Sequence, residues 1–474
     1  MRRRVRALFV NFFSLFLANG LTLFVNVFVA LVIPKAFSAS AYSFFQLENL
    51  FCTYIWIISL GWHEGILLKY GGKRRDEIDS GLIAFQVVML GLYMVVVSTL
   101  LFLPIGGALG DADRRFVLLI SFTSVSIEAV IYSLTYVLRA TNRIRASSIL
   151  MGLDRIVYMM MVVGLIIFRV TSFHWLLQVD ILSKVVMLIV CLVVCRDFVF
   201  VRLPSLRVGF SEAVSLISMG INITLANFAG GLVNGVARLA IESRWGLLIF
   251  GKVSLTLSIS NAVTRFLSVF SVALFPALRQ VGADRLPVIY RPMRALLTVA
   301  LLCCFVAYAP IKAVLVWWLP NYADGLRYLA LLFPVSLFDL RVLVLVNTYL
   351  KVVRKERIIL LSNGVIVALS VVLSGVSVFV LNSLDVAVFS LVVLSVLRCA
   401  LAESFLPRYL QVHVLADTLF EVGLTVVFIV SAWVLPSGGW AVYLGALVVY
   451  LVARRKRIQA DFHVAAEIVR KPKA

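Results

Sequence analysis

Apolar stretches about as long as a bilayer's hydrocarbon core is thick follow one another along nearly the whole chain. They fall near 8–33, 43–68, 80–104, 115–138, 149–169, 175–195, 213–240, 247–275, 295–318, 326–350, 359–381, 385–405, 417–435 and 440–453. Such a run leaves too little polar sequence to clothe a water-soluble core. The chain therefore reads as an all-α polytopic membrane protein with about fourteen transmembrane helices. Composition agrees: 62% of residues are hydrophobic, 14% are charged, and mean hydropathy is +1.05, whereas a soluble globule is about half apolar.

A net charge of +21 invites a nucleic-acid reading, but the cations cluster in alternate connections between spans, where they set orientation. One side collects Arg2, Arg3, Arg4 and Arg6, then Lys73, Arg74 and Arg75, then Arg139, Arg143 and Arg145, then Arg196, Arg202 and Arg207. It continues with Arg279, Arg285, Arg291 and Arg294, with Lys351, Arg354, Lys355 and Arg357, with Arg408, and with the run Arg454–Arg457. The opposite loops are short and poor in Lys and Arg, Lys35, Arg114, Arg115 and Arg244 being the main exceptions. Both termini are then cytoplasmic, which requires an even number of spans; fourteen satisfies this, as does twelve. Trp175, Trp245, Trp317, Trp318, Trp433 and Trp440 fall at the outer interface and Trp62 near the inner one, as an aromatic belt requires, with Trp56 the exception. The N-terminal apolar run is too long for a signal-peptide core and reads as an uncleaved first helix. All six cysteines lie in or beside spans without metal-type spacing, so neither disulfides nor structural zinc is expected.

Laid without gaps on the first span, the seventh places Asn227 on Asn19 and Asn234 on Asn26. Each pair is spaced by about two helical turns and so shares one face. Duplication is common in transporter folds. The expected division is an N-lobe of six helices over 1–205, a C-lobe of six over 206–410, and two appended helices with a basic cytoplasmic tail over 411–474.

The segment Leu60-Gly61-Trp62-His63-Glu64-Gly65-Ile66-Leu67-Leu68-Lys69-Tyr70-Gly71-Gly72 closes the second span. It resembles the segment at that place in bacterial polysaccharide transporters, the Wzx-type flippases of the multidrug/oligosaccharidyl-lipid/polysaccharide exporter superfamily. Span order, loop sizes and the duplication extend the resemblance over essentially the full length. It implies a two-lobed helical bundle in the bacterial inner membrane, serving O-antigen, lipopolysaccharide or exopolysaccharide synthesis. Such a protein moves an undecaprenyl-diphosphate-linked oligosaccharide unit outward by alternating access, in contact with membrane lipids and a candidate polysaccharide polymerase assembly. Neither catalysis nor a metal is implied, and any cofactor reduces to a coupling ion, H⁺ or Na⁺.

Cations inside spans are costly, about 2.5–3.5 kcal/mol each at mid-bilayer on the lenient scale, so they should face water or partners. Arg238, Lys252, Arg265, Lys312 and Arg341 concentrate positive charge in the second lobe; Arg155 and Lys184 add to the first. Guanidinium forks suit diphosphate oxygens, while Asn19, Asn26, Asn227 and Asn234, with Gln46 and Asn49, suit sugar hydroxyls. Plainer roles compete. Asp180 and Lys184, and likewise Arg238 and Glu242, are four residues apart and can neutralise one another on one helix face. Arg238 and Lys252 can snorkel, Arg155 beside Asp154 can be an anchor, and Arg398 and Glu403 can pair. Asp339 and Arg341, two apart, each need a separate partner. Asparagines often glue membrane helices together. Arg265 lies several turns inside its span with no acidic neighbour in sequence and is the leading candidate for a cavity. Glu128, Glu48 and Asp339 are candidates for ion coupling, and His63 is expected at the interface.

Two rival functions stand beside the flippase. A multidrug or cation exporter of the same fold would carry lone carboxylates in a less basic lumen. A membrane polymerase or ligase would present a sizeable extracytoplasmic loop, and the longest loops here lie on the basic side.

Overall fold

Ser38, Asp79 and Asp111 each turn a side-chain oxygen back onto the first free backbone N–H groups of a helix, the capping that polar residues ahead of apolar runs supply. The helices they open belong to a computed structural model that describes residues 24, 25, 27–73, 75–279, 286–353, 355–406, 415–435 and 438–470, without the side chains of 76, 263, 265–277, 279, 356, 415, 416 and 465–470. Among the described residues the structure is helical, with no strand. Among these residues ten helices are long and apolar enough to cross a membrane, or eleven if the bent pair Ala39–Ser59 and Trp62–Tyr70 is taken as one span. Val27–Ala36 and Gly439–Ala453 are shorter apolar helices, and the stretch Leu206–Ala262 contains a break at Gly246 (φ 79°, ψ 175°). Each expected span thus has a helical counterpart, the first only from residue 24 onward.

The chain divides into two compact units, 1–232 and 233–474. The expected boundaries after 205 and 410 do not coincide with this division, because the helix Leu206–Arg279 begins in the first unit and ends in the second.

In the first unit, helix α1 (Ala112–Ala140) is the hub. It packs against Ala39–Ile55, Trp62–Tyr70, Ser80–Ala108, Ile144–Ile167 and Phe173–Val194, burying Val125, Ala129, Leu134 and Leu138. Its serines permit this crowding. Ser121 and Ser126 return their hydroxyls to the carbonyls of Val117 and Phe122 at 2.8 and 2.7 Å, so small side chains bring neighbours close without stranding a polar group.

The glycine-rich segment at 60–72 is a packing device. Leu60 (φ 51°) and Gly61 (φ 74°) are left-handed and bend the pair of helices by 54°. Beyond the bend, Gly61 and Gly65 bring backbone against backbone. A Cβ on Gly65 would sit 2.1 Å from the Leu216 carbonyl oxygen, and one on Gly220 would sit 1.9 Å from that of Gly61. Trp62 is buried, not interfacial as expected, because its Nε1 donates to Gln86 Oε1 at 3.0 Å while Gln86 donates on to the Gly209 carbonyl at 2.9 Å. His63 also departs from expectation: at 1% exposure it is enclosed by the rings of Trp56, Tyr132 and Tyr136 and lies 2.8 Å from Glu64.

In the second unit the most enclosed helix is α2 (Leu329–Val352), packed against Leu384–Ser404 and Leu286–Cys304. Helices Leu415–Val434 and Gly439–Ala453, expected as an appendage, are built into this unit. The former packs on Leu329–Leu332, and Arg455–Arg470, following the latter, packs on Leu286–Cys304. Asp417 fastens that end, accepting from Arg454 at 2.6 Å and from Arg457 at 2.7 Å.

Candidate functional site

Each unit encloses its own constellation of charge. In the first, Lys184 (6% exposed) extends from Phe173–Val194 to Asp180 at 2.6 Å and to Glu128 at 3.6 Å. Its ammonium also donates to the Ser124 hydroxyl, which in turn donates to Asp180 at 2.6 Å. The pairing of residues four apart on one helix therefore forms, and Glu128 joins it from α1. Beside it, Glu48 is buried and accepts from the Cys52 thiol at 3.0 Å; among the described residues no cation lies within ion-pair distance of it. Asp154 and Arg155 stand 3.6 Å apart, partly exposed.

Four carboxylates, Glu48, Glu128, Asp154 and Asp180, thus lie within electrostatic reach of two cations, Lys184 and Arg155. Among the described residues of this unit the buried carboxylates outnumber the cations, and Lys184 and Arg155 have the acidic neighbours that the sequence offered as their plainer role. An ammonium this deeply enclosed persists only when carboxylates compensate its lost hydration.

In the second unit, Arg341 is 0% exposed and sits between Glu403, at 3.1 Å, and Glu421, to which its Nη1 donates. Arg294 reaches the same two carboxylates, at 2.8 Å each. Tyr290 donates to Glu403 at 2.9 Å, Arg294 donates to the Thr418 hydroxyl at 2.9 Å, and Arg341 contacts Cys399 at 3.2 Å. Two guanidinium groups and two carboxylates make the network neutral, and its hydrogen bonds use the donors that such a buried group must satisfy. Arg341 is therefore a member of an internal ion network, a correction to its expected exposure toward cargo. Arg294 is corrected too. Expected in a basic loop, it lies buried about two turns inside Leu286–Cys304, where the network offsets its charge.

Asp339 and Arg341 do find separate partners, as their spacing requires. Asp339 faces Arg398 at 3.6 Å, and Arg398 donates to Asn363 at 3.0 Å. Arg398 and Glu403 consequently serve different networks and not each other. Arg238 donates to Ser254 at 3.0 Å and lies over the Phe250 ring. Lys252 reaches the 87% exposed Asp324 at 3.2 Å, consistent with a side chain that extends outward. Lys312 lies over the Tyr308 ring. Asn227 is exposed and Asn234 half-buried. Asn19, Asn26 and the side chain of Arg265 lie outside the described residues, so the Asn19–Asn227 repeat and the leading cavity candidate have no structural account.

Sequence reasoning missed Glu421, Tyr290, Ser124 and Cys52 as members of these constellations. Glu421 had a readable signal, a carboxylate deep inside an apolar span that must find a cation. The others had none, because a tyrosine, serine or cysteine in a membrane helix is compatible with many neighbours.

The sequence matches no family model and no curated protein. Solved structures do match. The lipid II flippase MurJ in an inward closed conformation superposes with a TM-score of 0.61 at 11% identity, over 95% of this chain and 100% of that one. An inward-facing multidrug resistance MATE family transporter of the MOP superfamily gives 0.59 at 12% identity, over 87% and 94%. A MOP superfamily transporter from Pyrococcus furiosus, described as having a binding pocket of reverse polarity, gives 0.55 at 11% identity, over 84% and 95%. The chain thus has the fold that these transporters and the lipid II flippase share.

Proposed function

We propose that this protein is a flippase that carries an undecaprenyl-diphosphate-linked oligosaccharide from the cytoplasmic to the periplasmic leaflet of the bacterial inner membrane. The observation that carries the reading is the extent of the match with the lipid II flippase, which spans 95% of this chain and the whole of that one, against 84–87% for the multidrug and reverse-polarity transporters. The last two spans, integrated through Glu421 and Asp417, belong to the body of the fold. Basic connections attract the anionic headgroup toward the membrane surface on one side. Outward movement of two phosphate charges against a negative cytoplasm gains up to about 4.6 kcal/mol per 100 mV if they cross the full field. Arg265, within Leu206–Arg279, Arg238 and Lys252 remain the proposed cargo-binding cations. Resetting the empty carrier then falls to a carboxylate that binds H⁺ or Na⁺, with Glu48, Glu128 and Asp339 as proposed sites.

A second reading is favoured by one observation, the excess of buried carboxylates over cations among the described residues of the first unit. A multidrug or organic-cation exporter of the same fold would use such a surplus for its cargo. Proteoliposomes separate the two. A flippase exposes a labelled prenyl-diphosphate oligosaccharide on the far leaflet, slows on Arg265→Ala, and leaves cationic dyes in place. Dye efflux driven by a proton or sodium gradient, with no movement of the lipid-linked sugar, would establish the exporter instead.

A further inference from the structure

In the second unit, helices Tyr308–Trp318, Leu415–Val434 and Gly439–Ala453 line a half-open cavity of about 320 Å³. Its wall is largely aromatic: Phe305, Tyr308, Phe428, Trp440 and Tyr443 line it, and Lys312 projects into it. Most polar groups on this wall are already satisfied. Ser431 donates to the Phe428 carbonyl at 3.0 Å, Trp440 Nε1 to that of Val306 at 3.0 Å, and Tyr443 to that of Leu302 at 2.8 Å.

Two groups are not satisfied in this way. The Tyr308 hydroxyl is buried without a hydrogen-bond partner among the described residues, on a side chain only 6% exposed. Lys312 Nζ has no carboxylate within ion-pair distance among the described residues; its recorded contact is the Tyr308 ring, 5.6 Å to the centroid. A buried phenol and a membrane-embedded ammonium left in this condition each cost free energy that a ligand can return.

The cavity sets what that ligand is. Its volume is at the lower end of small-molecule pockets, too small for an oligosaccharide unit. It borders residues that face lipid, with Val314, Val316 and Trp440 exposed on the surrounding surface. Lys312 is five residues from Trp317, roughly 7–8 Å along the helix axis, so it stands in the apolar layer just below an aromatic belt, where its long side chain can snorkel toward the lipid phosphates. One anionic group beside one hydroxyl donor, continued by an apolar chain along aromatic walls, is the chemistry of an acidic phospholipid.

We propose that this cavity binds one acidic membrane phospholipid, its phosphate held by Lys312 and Tyr308 and part of an acyl chain lying along Phe305 and Phe428. The site is separate from the buried ion networks and does not depend on which cargo the protein carries.

Native mass spectrometry of the full-length protein, titrated with phosphatidylglycerol or with phosphatidylcholine of the same chains, tests this. One phosphatidylglycerol is expected to bind ahead of phosphatidylcholine. Lys312→Gln is expected to weaken phosphatidylglycerol about fivefold, the equivalent of about 1 kcal/mol for one basic side chain near the membrane surface, and to leave phosphatidylcholine unchanged. Ala309→Phe fills the cavity and is expected to abolish the preference while the protein still elutes as a single folded species. A phosphatidylglycerol with a photoreactive chain is expected to label 305–316 and 428–443. Equal binding of the two lipids, indifference to Lys312→Gln in a folded protein, or labelling elsewhere would overturn the proposal. So would displacement of phosphatidylglycerol from these segments by undecaprenyl phosphate, which would make the cavity a seat for the cargo's own tail.

Discussion

Arg294 and Glu421 are 127 residues apart in sequence and meet at 2.8 Å where neither side chain is more than 3% exposed. Their contact ties the helix Leu286–Cys304 to Leu415–Val434, and the same carboxylate also receives Arg341. The position of the penultimate span thus follows from a charge that has to be neutralised.

Removing that charge is expected to be expensive. Glu421→Ala leaves an uncompensated guanidinium in the protein interior and should cost about 3–5 kcal/mol, seen as a large fall in thermal stability in detergent. The double variant Arg341→Met with Glu421→Leu removes one charge of each sign and should recover much of the loss.

Lys184→Met leaves Asp180 and Glu128 without their cation. A loss of similar size, about 3–5 kcal/mol, is expected in thermal unfolding. It should be eased by adding Asp180→Asn, because the neutral amide no longer needs the ammonium. No change with Lys184→Met would mean that water reaches these carboxylates.

Backbone contact at Gly65 leaves no room for a methyl group. Gly65→Ala is therefore expected to destabilise by at least the about 1–3 kcal/mol typical of overpacking, with reduced recovery of monodisperse protein. Gly164→Ala is the matched control: a Cβ there meets nothing within 4 Å. It should be neutral or stabilising by up to about 1 kcal/mol, since alanine loses less entropy than glycine in a helix.

Asp417 pairs with Arg454 and Arg457 where the two arginines are partly exposed. Asp417→Asn should cost less than the interior substitutions, roughly 1 kcal/mol or below, and the difference should shrink as salt is raised. Thermal melts at low and high ionic strength check both statements.

Particular residues show what could be read early. Asp180 and Lys184 were a legible pair because helical spacing alone puts them side by side. Asp339 and Arg341 were legible as non-partners for the same reason, although Arg398 and Glu421 could not be named. His63 and Trp62 misled because a polar or amphipathic residue near a span end usually marks an interface; here Gln86 and a cage of aromatic rings take them inside. Arg294 misled in the same way, since a run of arginines between spans reads as a loop until one of them turns inward.

The sequence by itself determined that this is a helical membrane protein and where its spans fall, because hydrophobic length acts over a few neighbouring residues. Tertiary structure alone decided which charges are spent on one another. Ion pairing between distant helices depends on which faces meet, and in a uniformly apolar span the pattern of side chains does not record a face. Arg294 and Arg341 look alike as cations in the sequence; only packing supplied the carboxylates that hold them, and only packing brought Glu128 to Lys184.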